Sequence, residues 1–507
     1  MSNKNSQREY LAFDVVVVGC GIAGLSAAVS ALEQGARVAI LERSSIEERG
    51  GQTRWTEAQM RMKNEHEVSD DLEGHFAENA GHYLDPELIS EAASDYANWP
   101  SIVKTLGFTD PELISTLSDF AGPTLQWLKR FGVRFDQQPS YFITTCTTRL
   151  SPVGGGLALV EALAATAEKL GAQFFYHTTA RHLLQDDEGA VVGLEATGIN
   201  NRSVRFNASS VVLASGGFQG NQEMLTHYLG TDARYMRPVA RGGYYNKGEG
   251  IRMALQLGAA PAGDFGEIHA EPLDPRSGVS EPIVLVFNYG ILINKKAERF
   301  IDEAPSTVDA TYENITRQIL KQPEGIAWTI LDSSIDDVPN WRRSVRSDQP
   351  PISAASLPEL AAKLGLDEEA LVATVENYNS ACQEGPFNPL ATDGLATEHT
   401  YRPRKSNWAR PLVKAPYFAY PIICGNCFTF GGIKVNPSSQ VLNSDGEPMP
   451  GLYAAGEMTG LYYGTYTGAT SVLRGAVFGK IAGSHAAQRS SSYSAQKSND
   501  GTEAAPG

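Results

Sequence analysis

The stretch that decides the fold is residues 13–24, FDVVVVGCGIAG, near the amino terminus. Its first half is a short run of β-branched residues, which is typical of a strand buried in a parallel sheet. The alanine-rich segment that follows predicts a helix to Gln34, and Gly35 ends it. Residues 37–41 then predict a second strand, with Glu42 at its end. This order of strand, glycine turn, helix and strand predicts a βαβ unit.

The three glycines of the turn have separate tasks. Gly19 allows the tight turn, Gly21 lets the main chain approach a pyrophosphate, and Gly24 lets the helix pack closely on the strand. The amino terminus of the helix would then face the phosphates. The carboxylate of Glu42 would bind ribose hydroxyls, and it disfavours the 2′-phosphate of NADP. The pattern therefore predicts a dinucleotide site.

Composition limits the range of partners. The 507 residues include 42 lysines and arginines against 58 aspartates and glutamates, a net charge of −16. This excess of acid argues against nucleic acid and anionic lipid as partners. The polar amino terminus lacks the apolar core of a secretory signal, and no stretch reaches the ~20 apolar residues that a membrane span needs. We therefore expect a cytoplasmic protein without a membrane span.

The cysteines do not form a recognisable framework. Five are thinly spread along the chain, at Cys20, Cys146, Cys382, Cys424 and Cys427. An odd number at such spacing is not a disulfide pattern. The pair at Cys424 and Cys427 is followed by Phe428 rather than by the histidine of a haem-attachment motif, and no second pair completes a zinc site. We expect this pair to pack in the core, and we expect no bound metal.

Strand-like runs and helical stretches alternate through the first half of the chain and return near its end, which predicts an α/β protein. The segment between them is richer in proline and charge and contains an amphipathic helical pair around residues 356–385. We therefore expect a doubly wound, Rossmann-like nucleotide-binding domain with an inserted α+β capping domain. The expected bounds are residues 10–270 plus 422–487 for the first domain, 271–421 for the capping domain, and 488–507 for a flexible tail.

Two further segments point to FAD as the dinucleotide. Residues 450–457, PGLYAAGE, resemble the second FAD motif, whose final acid, here Glu457, binds the ribityl chain. Residues 214–218, ASGGF, resemble a segment of the fumarate reductase and succinate dehydrogenase flavoprotein superfamily. The chain is identified as a member of that superfamily over residues 14–487. It has no second strand-bound glycine motif that would seat a nicotinamide cofactor.

The resemblance implies non-covalent FAD. Relatives that attach flavin covalently use a histidine in the segment that matches residues 50–53, and none stands there in this chain. The residues expected to contact FAD come from both FAD motifs, the second strand, the segment near the flavin ring and the start of the last helix. They are Gly19, Gly21, Ile22, Ala23, Gly24, Glu42, Arg43, Gly51, Gln52, Thr53, Ala180, Ala214, Ser215, Gly216, Gly456, Glu457, Ser471 and Val472.

Within the superfamily, the chain is most similar to the tricarballylate dehydrogenase-like branch, which shares features with 3-ketosteroid Δ1-dehydrogenases. The segments that carry this likeness are residues 51–54 (GQTR), 429–432 (TFGG) and 466–468 (YTG). Two catalytic roles follow from the superfamily resemblance. It implies proton transfer by Arg299, with an ion pair to a neighbouring glutamate as the alternative, and substrate binding by His269, with a purely structural histidine as the alternative.

Two departures from the fumarate reductase pattern change the expected substrate. An arginine and a histidine that hold a carboxylate in those enzymes are replaced here by Tyr466 and Phe428. The segment at Tyr466 instead resembles one in ketosteroid dehydrogenases, where a tyrosine hydroxyl and a backbone N–H polarise a ketone. Tyr466 and the amide of Thr470 would then stabilise an enolate. A base on the capping domain would remove the alpha proton, with Tyr289 and Arg299 as candidates.

The expected function is an FAD-dependent desaturase that introduces a C=C bond next to the carbonyl of a small oxo-acid or ketone. The electron acceptor would be oxygen, a quinone or another diffusible molecule. Arg54, Arg241 and Arg474 would bind a carboxylate, which favours 4-oxocyclohexanecarboxylate or tricarballylate as substrate. The first alternative is the reverse reaction, an enoate reductase of the fumarate or urocanate type. The second is an FAD electron-transfer subunit of a larger complex, although the sequence has no evident iron–sulfur or haem ligand set.

Overall fold

The computed structural model describes residues 9–78, 99, 101–137, 141–144, 146 and 148–500. Its helices and strands are numbered here in chain order within those ranges. The α-helices are α1 (Ile22–Glu33), α2 (Leu72–Glu78), α3 (Ser101–Lys104), α4 (Pro111–Lys129), α5 (Gly155–Lys169), α6 (Gln222–Leu229), α7 (Glu249–Gln256), α8 (Val308–Leu320), α9 (Leu357–Leu364), α10 (Glu368–Ala381) and α11 (Ser471–Asp500). The strands are β1 (Glu9–Val18), β2 (Val38–Leu41), β3 (Phe135–Asp136), β4 (Ser151–Pro152), β5 (Gln173–Phe175), β6 (Thr179–Gln185), β7 (Val191–Thr197), β8 (Ser203–Leu213), β9 (Arg237–Pro238), β10 (Pro261–Ala262), β11 (Ile268–Leu273), β12 (Ile291–Ile293), β13 (Ile326–Asp332), β14 (Ile352–Ala354), β15 (Tyr417–Thr429), β16 (Gly432–Ile433), β17 (Gln440–Leu442) and β18 (Pro448–Ala454).

The first sheet has eight strands and is mainly parallel at its centre. Strands β17, β18, β8, β1, β2 and β5 lie in that order, with β7 beside β8 and β6 beside β7. β1 is parallel to both β2 and β8. The valines at positions 15–18 are buried, as expected of a strand covered on both faces. The arrangement confirms the predicted α/β class and the βαβ unit.

Helices α1 and α11 pack closely because glycines remove the side chains between them. A Cβ atom on Gly479 would lie 2.3 Å from the carbonyl oxygen of Ala23, and one on Gly483 would lie 2.0 Å from that of Ala27. Real Cβ atoms do not approach a carbonyl so closely, so these positions require glycine. The contact joins the beginning of the chain to its end and buries the apolar face of α1.

A second sheet carries the capping unit. Its main strands lie in the order β11, β15, β13, β12, with β14 and β9 also paired to β15. β11 and β15 extend the sheet beyond the predicted limits, since β15 runs from residue 417 to residue 429. The predicted boundary at residues 421 and 422 therefore falls inside a strand. The expected helical pair is present as α9 and α10, and it buries Leu360, Leu371 and Val375.

The predicted flexible tail begins too early. Helix α11 continues to Asp500, and Ser490 donates a hydrogen bond to the carbonyl oxygen of Asp14 at 2.9 Å. Arg489 donates to the carbonyl of Ser209 at 3.3 Å, so this part of the segment is fixed to the first sheet. The rest of the predicted tail, residues 501–507, lies outside the described residues. Neither α11 nor any other helix in the described ranges is long and apolar enough to cross a membrane.

We expect Gly483→Ala to lower the free energy of unfolding by about 1–3 kcal/mol, because the added methyl group forces α1 and α11 apart. Gly74→Ala in α2 is the matched control, since no atom lies within 4 Å of its would-be Cβ. That change should be neutral or slightly stabilising. Urea unfolding followed by circular dichroism measures both. Equal stability of the two variants would contradict the packing argument.

Candidate active site

A cavity lies where the two sheets meet. The glycine turn and the start of α11 form one wall, and β11, α8 and β15 contribute to the other through His269, Tyr312 and Phe428. Every residue predicted to contact FAD lines this cavity except Gly24. Direct contact with FAD remains a prediction. The structure nevertheless brings these residues together from nearly the whole length of the chain.

The glycine turn is shaped by close main-chain contacts. Gly19 has φ of +106°, and a Cβ there would lie 2.3 Å from the carbonyl oxygen of Ala214. A Cβ on Gly24 would lie 2.0 Å from the carbonyl oxygen of Gly19. Gly24 therefore closes the turn from behind rather than facing a ligand. Near Gly21 the would-be Cβ has contacts no closer than 3.5 Å, which leaves room for an approaching group.

Glu42 anchors the adjacent end of the sheet. Its carboxylate accepts hydrogen bonds from the backbone N–H of Cys20 at 3.1 Å and of Ser44 at 2.8 Å. The side chain is buried and also lines the cavity. These two bonds leave further acceptor capacity on the carboxylate, and its binding of ribose hydroxyls stays a prediction. The same carboxylate thus shapes the turn and offers a ligand site.

Glu457 is the corresponding acid of the second motif. It accepts a hydrogen bond from the backbone N–H of Thr429 at 3.0 Å, and from the side-chain amides of Gln219 and Asn246 at 3.3 Å each. Burial raises the pKa of Glu457, while the hydrogen bonds from Thr429 and Gln219 oppose the shift. Gln219 was not predicted from the sequence, because nothing in its segment marks it as a partner of a residue more than two hundred positions away.

The cavity wall has an unsatisfied acceptor that fits a flavin nucleotide. Gln52 donates through Nε2 to the carbonyl of Cys427, but its Oε1 is buried and has no hydrogen-bond partner among the residues that the structure describes. A buried acceptor without a donor is costly. FAD brings hydroxyl groups on its ribityl chain and an N–H on its ring, so the donor that this wall lacks is of a kind that FAD carries.

Tyr466 caps the start of α11. Its hydroxyl oxygen accepts hydrogen bonds from the backbone N–H of Thr470 at 2.9 Å and of Ser471 at 3.0 Å. The hydroxyl can itself donate to Ser471 Oγ at 3.1 Å or to a ligand in the cavity. The predicted pairing of Tyr466 with the Thr470 amide on one substrate oxygen is therefore not observed. The amide is already bonded to Tyr466, and Thr470 does not line the cavity.

His269 lies between two tyrosines. Its Nε2 is 2.8 Å from the hydroxyl oxygen of Tyr312, and its ring centroid is 4.4 Å from that of Tyr466. Burial, with the nearby Arg317 and Arg149, lowers the pKa of His269 to about 3. The imidazole is therefore neutral at physiological pH. His269 lines the cavity, and its expected role in substrate binding stays a prediction.

Two predicted catalytic residues lie elsewhere. Arg299 is buried in the capping unit, where it forms an ion pair with Glu303 at 2.6 Å and donates to the carbonyl of Pro403 at 2.7 Å. The hydroxyl of Tyr289 donates to the carbonyl of Pro389 at 2.6 Å. Neither residue lines the cavity. For Arg299 the ion-pair alternative is the one that the contacts support.

The three arginines that were expected to bind a substrate carboxylate do not come together in the cavity. Arg54 pairs with Glu161 at 2.9 Å, and Arg241 forms an ion pair with Glu48; neither arginine lines the cavity. Arg474 does line it, but its guanidinium donates to the carbonyl of Thr459 at 3.0 Å. The three do not form a carboxylate clamp.

Several residues that line the cavity were missed by sequence reasoning. Arg149 lines the cavity and pairs with Asp309 at 2.6 Å, and Tyr312 is one helical turn along α8 from that aspartate. Others that line the cavity are Tyr141, Glu57, Glu271 and Glu281. None belongs to a recognisable motif. The one usable signal was the spacing of Asp309 and Tyr312, three residues apart, which places them on one face of a helix.

Two of the acids are strongly perturbed. Burial and the neighbouring Glu281 raise the pKa of Glu271 to about 8. Burial raises the pKa of Glu281 to about 7, although Arg346 at 3.1 Å opposes the shift. Arg346 is equally close to Glu57, also at 3.1 Å. One guanidinium is thus shared between two carboxyl groups, with a third close by.

The two cysteines that were predicted to pack in the core are buried, but one of them also lines the cavity. Cys424 and Cys427 are both buried and free. The pairing of β11 with β15 shifts after His269, so Cys427 is an extra residue in a bulge that lies at the cavity. Potential ligand atoms of His269, Glu271 and Cys427 lie within 4.8 Å of one another. Burial raises the pKa of the Cys427 thiol well above its usual value.

Comparison with known proteins gives a consistent set of relatives. A family model described as FAD binding domain matches residues 14–473. Vinyl phenol reductase of Lactiplantibacillus plantarum is 28% identical over 94% of this chain and 96% of its own length. Fumarate reductase (cytochrome) of Shewanella frigidimarina is 28% identical over 94% of this chain and 77% of its own length. The 4-oxocyclohexanecarboxylate 2-dehydrogenase of Sinomonas cyclohexanicum is 29% identical over 63% of this chain and 58% of its own length.

A solved structure has the same architecture. The 3-ketosteroid-Δ4-(5α)-dehydrogenase of Rhodococcus jostii, in complex with 4-androstene-3,17-dione, superposes with a TM-score of 0.64. It is 27% identical, and the match covers 96% of this chain and 99% of that one. The likeness spans both the parallel sheet and the capping unit.

We expect Glu42→Ala to weaken the binding of FAD at least about tenfold, because it removes an acceptor for ribose and leaves two buried N–H groups without a partner. Titration of the apoprotein with FAD, followed by quenching of flavin fluorescence, measures the dissociation constant. Glu223→Ala, which removes an ion pair with Arg252 at an exposed site, is the control and should leave FAD binding unchanged. Equal affinity of the two variants would remove Glu42 from the cofactor site.

Proposed function

Because the chain belongs to the FAD binding domain family, we propose that it introduces a C=C bond alpha,beta to the carbonyl of a small ketone or oxo-acid. The protein is an FAD-dependent oxidoreductase that acts on carbon–carbon bonds, and bound FAD supplies a hydride acceptor at N5. Substrate Cβ loses a hydride and Cα loses a proton. The two electrons then pass to a diffusible acceptor such as oxygen or a quinone.

One observation carries this proposal. The hydroxyl-bearing side chains of Tyr466 and Tyr312 line the same cavity from the two different units of the protein, with neutral His269 between them. Removal of a proton next to a carbonyl needs a donor for the carbonyl oxygen and an acceptor for the proton. Two tyrosines on opposite sides of a substrate supply these two functions.

Tyr466 is the donor for the carbonyl oxygen. Its hydroxyl oxygen already accepts two backbone N–H groups at the start of α11, so the remaining valence is its own proton. The amino-terminal end of a helix stabilises negative charge, and this effect extends to an oxygen bonded to it. As the substrate becomes an enolate, the donor strengthens its bond to the developing negative charge.

Tyr312 is the residue that exchanges the proton at Cα. In desaturation it passes its own hydroxyl proton to Nε2 of neutral His269 while it accepts the proton from Cα, and in the reverse reaction both protons move back. It belongs to the capping unit, as the predicted base should, and it takes the role that the sequence analysis gave to Tyr289 or Arg299. Burial, with the neighbouring Glu313 and Glu271, raises the pKa of Tyr312 well above its usual value. Nε2 of His269 at 2.8 Å orients its hydroxyl group. The four rings around the site restrict access of water, since Phe428 packs against both His269 and Tyr466.

The reverse reaction is the second candidate. A tyrosine with a raised pKa is protonated at rest, so Tyr312 is ready to deliver a proton to Cα of an enoate or enone. Relatives named vinyl phenol reductase and fumarate reductase act in that direction by name. The same residues serve both directions by microscopic reversibility. The two directions are distinguished by adding a saturated substrate to the oxidised enzyme and an unsaturated substrate to the reduced enzyme.

The deciding experiment is anaerobic. The purified, FAD-loaded protein is mixed with saturated cyclic ketones, oxo-acids and tricarballylate, and the visible absorption of the flavin is followed. Bleaching by one compound supports the desaturase. Re-oxidation of the dithionite-reduced enzyme by an enoate or enone, without bleaching by any saturated compound, supports the reductase instead. Turnover by the purified chain alone would contradict the alternative of an electron-transfer subunit.

We expect Tyr312→Phe to slow flavin reduction by substrate about 10²–10⁴-fold, because the proton at Cα then has no acceptor. Tyr289→Phe is the matched control, since its hydroxyl is bonded to Pro389 outside the cavity, and it should change the rate less than about threefold. Stopped-flow absorbance measures both. A large decrease in the rate of flavin reduction in Tyr289→Phe, with little change in Tyr312→Phe, would identify Tyr289 as the base instead.

Tyr466→Phe should slow the same step about 10²–10³-fold, as expected when one donor to a developing oxyanion is removed. It should leave the dissociation constant of FAD nearly unchanged. Tyr453→Phe, which removes a hydroxyl bonded to the carbonyl of His485, controls for loss of a buried hydroxyl elsewhere. An unaltered reduction rate in Tyr466→Phe would exclude Tyr466 as the donor.

A further inference from the structure

The substrate region of the cavity is unusually acidic. Glu57, Glu271 and Glu281 all line it, although they come from three separate places in the chain. They lie with Tyr141, Tyr312 and His269 around the same cavity. Arg346 is paired with Glu57 and Glu281, and Arg149 with Asp309.

The balance of charge disfavours a further anion. Arg149 and Arg346 are each paired with carboxylates, and the guanidinium of Arg474, which also lines the cavity, donates to the carbonyl of Thr459. A substrate carboxylate would add a negative charge beside Glu57, Glu271 and Glu281 in a region that is mostly buried, where like charges are weakly screened. A group that is neutral or positively charged would not.

Hydrogen-bonding capacity points the same way. Oε2 of Glu271 and Nδ1 of His269 are buried and have no hydrogen-bond partner within the described part of the chain. His269 is only 7% exposed and lines the cavity. The Glu271 side chain lies next to it, with potential ligand atoms of the two residues within 4.8 Å of each other. Oε2 of an ionised Glu271 is an acceptor, so this part of the wall can take a donor from a ligand. The role of His269 Nδ1 depends on the tautomer, and Nε of Arg149, also buried without a hydrogen-bond partner in the described part of the chain, offers a donor to the same cavity.

The perturbed acids are consistent with a missing partner. The pKa of Glu271 is raised to about 8 and that of Glu281 to about 7, by burial and by their mutual repulsion or that of Glu57. An ammonium group or a hydroxyl placed between them would stabilise the ionised forms. A second carboxylate would destabilise them further. A donor or a cation would therefore favour the ionised acids, whereas a carboxylate would favour their protonated forms.

We propose that Glu57, Glu271 and Glu281 form the specificity subsite of the enzyme, and that it selects a carbonyl substrate bearing a hydroxyl or protonated amino group over one bearing a carboxylate. This inference rests on the proposed function, and it decides between the ketone and the oxo-acid in favour of the ketone. The acids act on the end of the substrate remote from the reacting bond. They are specificity residues and do not exchange the proton at Cα.

Turnover of a matched series provides the first test. The substrates are 4-hydroxycyclohexanone, 4-aminocyclohexanone and 4-oxocyclohexanecarboxylate, which share the ring and the ketone and differ at one substituent. We expect kcat/KM for the hydroxyl or amino compound to exceed that for the carboxylate at least about tenfold. Preference for the hydroxyl over the amino compound, or the reverse, identifies which donor the subsite takes. A preference for the carboxylate would overturn the proposal.

Binding provides a second test that does not depend on turnover. Phenols mimic the enol, so 4-(hydroxymethyl)phenol, tyramine and 4-hydroxybenzoate are titrated into the oxidised enzyme while the flavin spectrum is recorded. The same preference is expected in dissociation constants. If the phenols follow it but no ketone bleaches the flavin, the proposed reaction fails and the subsite stands. If ketones react but no preference against the carboxylate is seen in either series, the subsite fails and the reaction stands.

Substitution of the glutamates tests whether they cause the preference against the carboxylate. Glu271→Gln and Glu281→Gln should each narrow the preference against the carboxylate at least about fivefold, because each removes an acid that can ionise beside a bound donor group, at nearly constant shape. Glu161→Gln is the control, since that acid pairs with Arg49 and Arg54 and does not line the cavity. It should leave the preference unchanged. If all three variants keep the wild-type ratio, or if no phenol perturbs the wild-type flavin spectrum, the cluster is not a substrate subsite.

Discussion

The close approach of main chains at a few glycines is the constraint on which the rest of the molecule depends. Gly19 lies against the carbonyl of Ala214, and Gly24 against that of Gly19. Gly456 and Gly475 then place the second motif and the first turn of α11 against Ile22 and Ala23. A side chain at any of these points would separate two segments that both line the cavity. The floor of the site is therefore set by the absence of side chains, and the functional groups are arranged around it.

The side of the cavity that is proposed to bind substrate depends instead on a β-bulge. A bulge in the pairing of β11 with β15 places His269 opposite Phe428 and leaves Cys427 without a counterpart in the strand ladder. Bulges redirect side chains and sharpen strand twist. Together with α8, which supplies Tyr312 and the aspartate that holds Arg149, this irregularity forms the wall across from Tyr466. Regular pairing alone would direct these side chains differently.

The cofactor half could be predicted from the sequence, and the substrate half largely could not. The family and the α/β fold are confirmed, and all the expected cofactor residues but Gly24 share one cavity, because glycine turns and motif acids act through local backbone geometry. Tyr466 and His269, which line the same cavity, were singled out through resemblance, and their catalytic roles stay predictions. Tyr312, Glu271 and Glu281 were missed, since their roles arise only when a helix, a strand and a loop of the capping unit meet. Arg299 and Tyr289 were predicted to be catalytic but do not line the cavity. A sequence motif does not show which nearby carboxylate or carbonyl group a side chain contacts.

The assembly of the cavity from two separately paired sheets bears on how such enzymes diversify. The residues that shape the turn and the second motif belong to one unit, whereas the acids, Tyr312 and the bulge belong largely to a segment inserted between its strands. Substitutions in the insert can change which substrate groups bind at that wall of the cavity without moving the main-chain contacts that shape the nucleotide site. Natural variation in this lineage should therefore be concentrated in the insert, and a laboratory search for new substrates would do best to randomise positions there.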